Sequence, residues 1–362
     1  MEKAPAGTPV VEHVPTGTES GTRWRDAGRV ASGARYGRPA DERPGRAVHY
    51  LRMARPKQWS KNVFLLIGAL LAYFYMPFGH GWATLGQLAV AFLATSLVAS
   101  SNYVINELLD APFDRKHPVK RHRPAATHAI VPARALALWL VLGAVGVSLA
   151  AYVNGAVLTW VVVLWVMGLV YNTPPVRTKD LPYLDVLSES VNNPIRILVG
   201  WHVVVPQLIP PVSVLVCFWM LGAFLMSTKR FGEYRRIGDP AVAAAYRPVF
   251  RHYDSERLLA TMVFFVACAA FFGGIFTVRY KLELVFAAPA VATLLAYYLR
   301  LGFKPDSPVQ DPERLHSERG MILLSTFTIV TFLFLMFVEI PGLYDLFNVD
   351  QAAFRPLWRL GE

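Results

Sequence analysis

Cysteine is almost absent from this sequence: Cys217 and Cys268 are the two in 362 residues, and both lie inside apolar runs. That excludes a disulfide framework or a thiolate metal site and leaves both as small buried hydrophobes. Charge is scarce as well, at 17% Asp, Glu, Lys and Arg, where a soluble domain carries about 25%. No glycine-rich phosphate loop, HExxH or CxxC motif, or Ser-His-Asp arrangement is present, so P-loop, zincin and triad chemistries have nothing to stand on. His117 and His122 stand in a basic stretch without a further ligand at zinc spacing.

What the chain has instead is apolar length. Hydrophobic residues make up 54%, and runs long enough to cross a bilayer recur at 62–78, 84–105, 133–153, 156–172, 184–204, 211–228, 258–278, 282–300 and 321–339. This pattern predicts an all-α, polytopic membrane protein of about nine spans. The net charge of +11 follows topology rather than nucleic acid. Lys and Arg crowd alternate connections, whereas FYMPFGHGW, VNG and VPQLIPP have none and only Arg279 and Lys281 break the rule. The positive-inside rule then places the N-terminus in the cytoplasm and the C-terminus outside, in the cell membrane. Residues 1–46 lack apolar periodicity and a signal-peptide core, and read as a disordered cytosolic tail. A transmembrane domain over 47–340 and a short tail over 341–362 complete the expected layout.

Two polar stripes interrupt the apolar pattern. Asn106, Asp110 and Asp114 follow at i, i+4 and i+8, which moves each side chain about 40° round a helix and lets all three share one face. Carboxylates at a membrane boundary need a partner, and Mg²⁺ carrying a phosphorylated substrate suits them. Pro112 is expected to break the helix and leave Asp114 on a loop. The second stripe is Asp185, Glu189, Asn192, Asn193 and Arg196, four of which fall within roughly 60° on one helix. Two such stripes suggest a cavity. Lys61, Lys120, Arg123 and Lys179 flank the stripes and are expected, with Arg196, to meet phosphate oxygens. Tyr171 heads the loop into the second stripe. Alternatives stay open at this point: helix-end residues facing water, topogenic lysines and arginines, and an Asp185–Arg196 pair that only joins helices.

These residues resemble the UbiA superfamily of membrane prenyltransferases over about residues 50–340. Asn106-x3-Asp110-x3-Asp114 looks like its first motif, and Tyr171 through Arg196 occupies the place of its second. The resemblance implies nine helices around a cytoplasm-facing cavity, one or two Mg²⁺ ions on a diphosphate, and a lateral opening for a polyprenyl chain. RPKQWSKN at 55–62, DRKHPVKRHRP at 114–124, and Asp185 with Arg196 and Gly200 are most similar to the decaprenyl-phosphate phosphoribosyltransferase branch. Glu107 stands where aspartate is expected.

The expected function is therefore Mg²⁺-dependent displacement of pyrophosphate, with phosphoribosyl pyrophosphate as donor and a polyprenyl phosphate as acceptor, in cell-envelope biosynthesis. Asp110, Asp114, Asp185 and Glu189 are the expected catalytic residues. Asn106, Asp110, Asp114 and Asp185 are the metal ligands. Asn106, Lys61, Lys120, Arg123, Tyr171, Lys179, Asn192 and Arg196 bind substrate. The partners are membrane lipid, polyprenyl (di)phosphate and a phosphorylated small-molecule donor, without nucleic acid. Rival expectations are a prenyltransferase acting on an aromatic or other lipophilic acceptor, and a transporter whose intramembrane charges form a path.

Overall fold

The computed structural model describes residues 47–75, 81–115, 120–304, 307–310, 315, 317–347 and 349, and its regular elements among them are all helical. The predicted tail over 1–46, most of the His117 stretch and residues 350–362 lie outside the described residues.

In chain order the α-helices are α1 (Ala47–Ala54), α2 (Val63–Tyr75), α3 (Trp82–Asp114), α4 (Pro132–Val153) and α5 (Gly155–Asn172). Then come α6 (Leu184–Ser190), α7 (Asn192–Val204), α8 (Val212–Ile237) and α9 (Pro240–Tyr246). The last are α10 (Ser255–Tyr280), α11 (Ala288–Gly302), α12 (Arg319–Phe337) and α13 (Leu343–Leu346). Among the described residues, seven helices are long and apolar enough to cross a membrane: α3, α4, α5, α8, α10, α12, and α11 with the 3₁₀ turn before it. Their surfaces fit lipid rather than water. On α12, Leu323 is 69% exposed and Phe337 79%, with no polar face to turn toward solvent.

The expected count of nine is not reached by this measure, and the two shortfalls have physical causes. The described part of the first span, α2, is 13 residues, about 20 Å at 1.5 Å per residue against about 30 Å of hydrocarbon. The fifth is divided at Val191 into α6 and α7. Pro194 has no N–H to give the Ser190 carbonyl, so one rung is missing there.

Two other expectations are corrected. Helix α3 runs through Pro112 to Asp114. Proline there removes only one rung near the end, and Arg115 N–H still reaches the Ala111 carbonyl at 3.2 Å. Helix α8 does not stop at 228 but continues to Ile237, carrying Lys229, Arg230 and Glu233 with it. With 33 residues, α3 is about 50 Å long, so its polar last turns extend beyond the hydrocarbon.

Helix α3 packs along α4, α8 along α10, and α2 along α7. The α2/α7 crossing brings backbones together. A Cβ on Gly68 would lie 1.9 Å from the Ile197 carbonyl oxygen, and one on Gly200 1.8 Å from that of Leu65. Neither helix can admit a methyl without separating. Gly68→Ala and Gly200→Ala are each expected to cost at least the ~1–3 kcal/mol of an overpacked core, read as a lower midpoint in a detergent thermal-aggregation assay. An unchanged midpoint in both would show that the crossing is loose.

Candidate active site

The polar ends of these helices surround a cavity of about 630 Å³. Helix α3 contributes Asn106, Asp110 and Asp114 to it, as the i, i+4, i+8 spacing predicts. Asp110 Oδ1 accepts from Lys179 Nζ at 2.5 Å and Arg177 Nη2 at 3.0 Å. Asp114 Oδ2 accepts from Arg123 Nη1 at 2.7 Å. Asn106 Nδ2 donates to Asn172 Oδ1, which Lys179 Nζ also reaches at 2.9 Å.

This donor set fits Mg²⁺. Among the described residues, Asn106 Oδ1, Asp110 Oδ2 and Asp114 Oδ1 accept no hydrogen bond from the protein. No group of three His, Cys, Asp or Glu side chains among them forms a complete cage. Two carboxylates and an amide, with phosphate and water completing the shell, is how Mg²⁺ is usually held.

The opposite wall carries Glu189, Asn192 and Arg196. Tyr171 Oη donates to Glu189 Oε2 at 3.0 Å, and Arg230 Nη2 reaches the same oxygen at 3.5 Å. Arg196 Nε donates to Asn62 Oδ1 at 2.8 Å and its Nη1 to the Asn192 carbonyl at 2.9 Å. Asn62 Nδ2 in turn donates to Ser96 Oγ at 2.8 Å, so the 3₁₀ turn ahead of α2 fixes this guanidinium.

Asp185 departs from the expectation. It is fully buried and does not line the cavity. Its Oδ2 accepts from Arg230 Nε at 2.9 Å and its Oδ1 from Tyr253 Oη at 2.8 Å, so both oxygens are committed inside the protein. The break at Val191 also means that a single helical face no longer runs from Asp185 to Arg196. That face ends at Glu189. The alternative of an Asp185–Arg196 pair gives way to Asp185–Arg230.

The cavity also gathers residues that spacing did not assign to it: Arg177, Asp180, Lys229, Arg230, Glu233 and Arg247. Glu233 lies 3.5 Å from Arg230, 3.7 Å from Arg247 and 3.9 Å from Lys120. The i, i+4 pair Lys229 and Glu233, following an apolar run without a break, is the signal that was available. Arg177 had none. It takes φ of 28°, a conformation costly for a non-glycine residue, and is held there by bonds to Asp110, Asp180 and the Asn172 carbonyl.

Burial pushes Lys120 down to about 7, against the raising influence of Glu233. Burial also lowers Lys179, opposed by Asp110. A lysine shifted downward carries its charge below that value and loses it above. The ratio of wild-type to Lys120→Arg affinity for pyrophosphate is therefore expected to fall severalfold from pH 6 to pH 8, since the guanidinium stays charged. Using the ratio cancels the titration of pyrophosphate itself. A flat ratio in equilibrium dialysis would remove Lys120 from the anion site.

Comparison with known proteins bears on the fold and the family. The decaprenyl-phosphate phosphoribosyltransferase of Corynebacterium glutamicum is 29% identical over 189 residues, which span 51% of this chain and 54% of that protein. The nodulation protein NoeC of Azorhizobium caulinodans is 33% identical over 195 residues, 53% of this chain and 60% of its own. The chain thus spans a little over half the length of these curated relatives. In fold, it is similar to a UbiA homolog from Archaeoglobus fulgidus bound to GPP and Mg²⁺, with a TM-score of 0.60 at 20% identity over 80% of this chain and all of that one. The profile of the UbiA prenyltransferase family matches residues 63–325, from the first residue of α2 into α12. A helical membrane bundle of this fold, with that match running through every helix that lines the cavity, makes this chain a multi-pass membrane protein of the UbiA prenyltransferase family.

Proposed function

We propose that this protein transfers a phosphoribosyl group from phosphoribosyl pyrophosphate to a polyprenyl phosphate, with Mg²⁺, in a domain over 47–340 whose cavity faces the cytoplasm. The observation that carries the reading is the cavity's charge. Eleven Lys and Arg side chains line it against five carboxylates. One diphosphate beside a neutral acceptor leaves most of that excess unanswered, whereas two phosphorylated substrates, each monoester carrying about −1.5 to −2, answer it. Similarity to the Corynebacterium phosphoribosyltransferase points the same way.

In this reading Asn106, Asp110 and Asp114 hold the metal ion and through it the donor diphosphate. When bound, Mg²⁺ supplies positive charge that neutralises the departing pyrophosphate. Lys179, Arg177, Arg123 and Lys120 take the remaining phosphoryl oxygens as an oxygen of the acceptor phosphate bonds to the sugar carbon and the pyrophosphate bond breaks. Tyr171 orients Glu189, and Asp185 serves by holding Arg230.

The test is product formation by purified protein with Mg²⁺, radiolabelled phosphoribosyl pyrophosphate or labelled geranyl diphosphate, and a panel of lipid acceptors. Labelled lipid is expected from the phosphoribosyl donor with a polyprenyl phosphate. Label transferred only from geranyl diphosphate to a neutral lipophilic acceptor would replace this reading with prenyl transfer.

A further inference from the structure

We propose that Lys61, Arg196 and Lys229 form a second anion subsite, separate from the Asp110–Asp114 wall, that takes the phosphate monoester head of the lipid acceptor. The assignment rests on the transferase reading above and adds to it where the acceptor sits.

Most cations of the cavity already have a carboxylate. Arg177 and Lys179 pair with Asp110, Arg123 with Asp114, and Arg230 with Asp185, Glu189 and Glu233. Lys61, Arg196 and Lys229 differ: among the described residues, no carboxylate lies within ion-pair distance of any of them. Arg196 is the telling member. It is 7% exposed, and two of its nitrogens are spent on the neutral oxygens of Asn62 and Asn192. Those bonds satisfy donors without neutralising charge, and among the described residues Nη2 of this cavity-lining side chain makes no hydrogen bond. A buried guanidinium with no counter-charge is costly, and a phosphate is the ligand that its planar fork meets in two hydrogen bonds.

The three cations come from different elements: Lys61 from the 3₁₀ turn before α2, Arg196 from α7 and Lys229 from α8. Glu189 is the acid that faces them, shared with Arg230 and Tyr171. One carboxylate among several cations leaves room for a dianion. The neighbouring lining fixes what carries it. Phe64 lies one turn beyond Lys61, and Leu225 and Met226 one turn before Lys229. A phosphate seated on the three cations has an apolar wall beside it, which suits the first prenyl units of a lipid phosphate. A sugar phosphate finds no hydroxyl partners along that wall.

Binding to the detergent-purified full chain tests this, with farnesyl phosphate, pyrophosphate plus Mg²⁺, and ribose 5-phosphate as separate probes. Arg196→Gln is expected to weaken farnesyl phosphate tenfold or more and Lys61→Gln about threefold, each with pyrophosphate within twofold of wild type. Asp110→Asn should do the reverse. Because Lys61 is exposed, its variant keeps the test open if Arg196→Gln fails to fold. Farnesyl phosphate and pyrophosphate weakening together in Lys61→Gln would mean a single site and overturn the proposal. So would ribose 5-phosphate displacing farnesyl phosphate and losing affinity with it, since the subsite would then belong to the donor sugar. Selective loss of farnesyl phosphate in a protein that never turns over phosphoribosyl pyrophosphate would instead sustain the subsite and sink the donor.

Discussion

Asp110→Asn and Asp114→Asn are each expected to lower turnover on the order of 10²–10³-fold or more while the protein stays folded in detergent. An amide keeps the shape of the carboxylate and loses the charge that holds Mg²⁺, whose contribution to stabilising a leaving phosphate is several kcal/mol, at about 1.4 kcal/mol per tenfold in rate. Folding should survive because both aspartates lie on one well-packed helix, Arg123 and Arg177 are 25% and 14% exposed, and the buried Lys179 keeps its hydrogen bond to Asn172 Oδ1. Asp110 carries a second effect. Its charge opposes the downward push of burial on Lys179, so Asp110→Asn also shifts that lysine further toward its neutral form. The loss in Asp110→Asn should accordingly grow as pH rises, and that in Asp114→Asn should not do so through Lys179. Steady-state rates across Mg²⁺ concentration and pH decide the matter. Both variants within about threefold of wild type, with unchanged metal dependence, would remove the first stripe from the chemistry.

The membrane bundle was legible because length and apolarity are local signals, and each long helix is announced by its own residues. The α3 stripe was legible for the same reason, since one unbroken helix carries all three residues. The second stripe was misread at Asp185, whose partners come from α8 and the stretch before α10. Asp185 sits on the same short helix as the cavity-lining Glu189, but Arg230 and Tyr253, far away in sequence, take both of its oxygens inside the protein. Charge itself misled in α8, where Lys229 and Arg230 read as the end of a span because lipid does not tolerate them; the cavity does, and the helix goes on to Ile237. The Arg196–Asn62 bond joins residues 134 apart in sequence, and no periodicity reports such a pairing. The left-handed Arg177 was hidden too, because the strain is offset by partners that only the folded chain supplies.

The residue whose loss should cost the fold most is Arg230, which sequence reasoning placed in a loop. Its three guanidinium nitrogens serve three acids: Nε lies 2.9 Å from Asp185, Nη2 3.5 Å from Glu189 and Nη1 3.5 Å from Glu233. Asp185 is fully buried, and Arg230 is only 2% exposed. Removing the cation leaves the buried Asp185 carboxylate with only Tyr253, and breaking a buried pair in that way costs about 3–5 kcal/mol, a large part of the ~5–15 kcal/mol that holds a typical domain together. Arg230→Ala is thus expected to give little monodisperse protein in size-exclusion chromatography. Arg230→Lys should rescue poorly, because one ammonium cannot reach three acceptors that a planar fork spans. Neutralising the acids separates this account from simple loss of packing. If charge is the cause, adding Asp185→Asn and Glu233→Gln to Arg230→Ala recovers folded protein, since amides need no counter-ion, while activity stays lost with the cavity's electrostatics. If the triple variant is as unstable as Arg230→Ala alone, the side chain's bulk between α6 and α8 is what the fold requires, and the charge network is incidental to it.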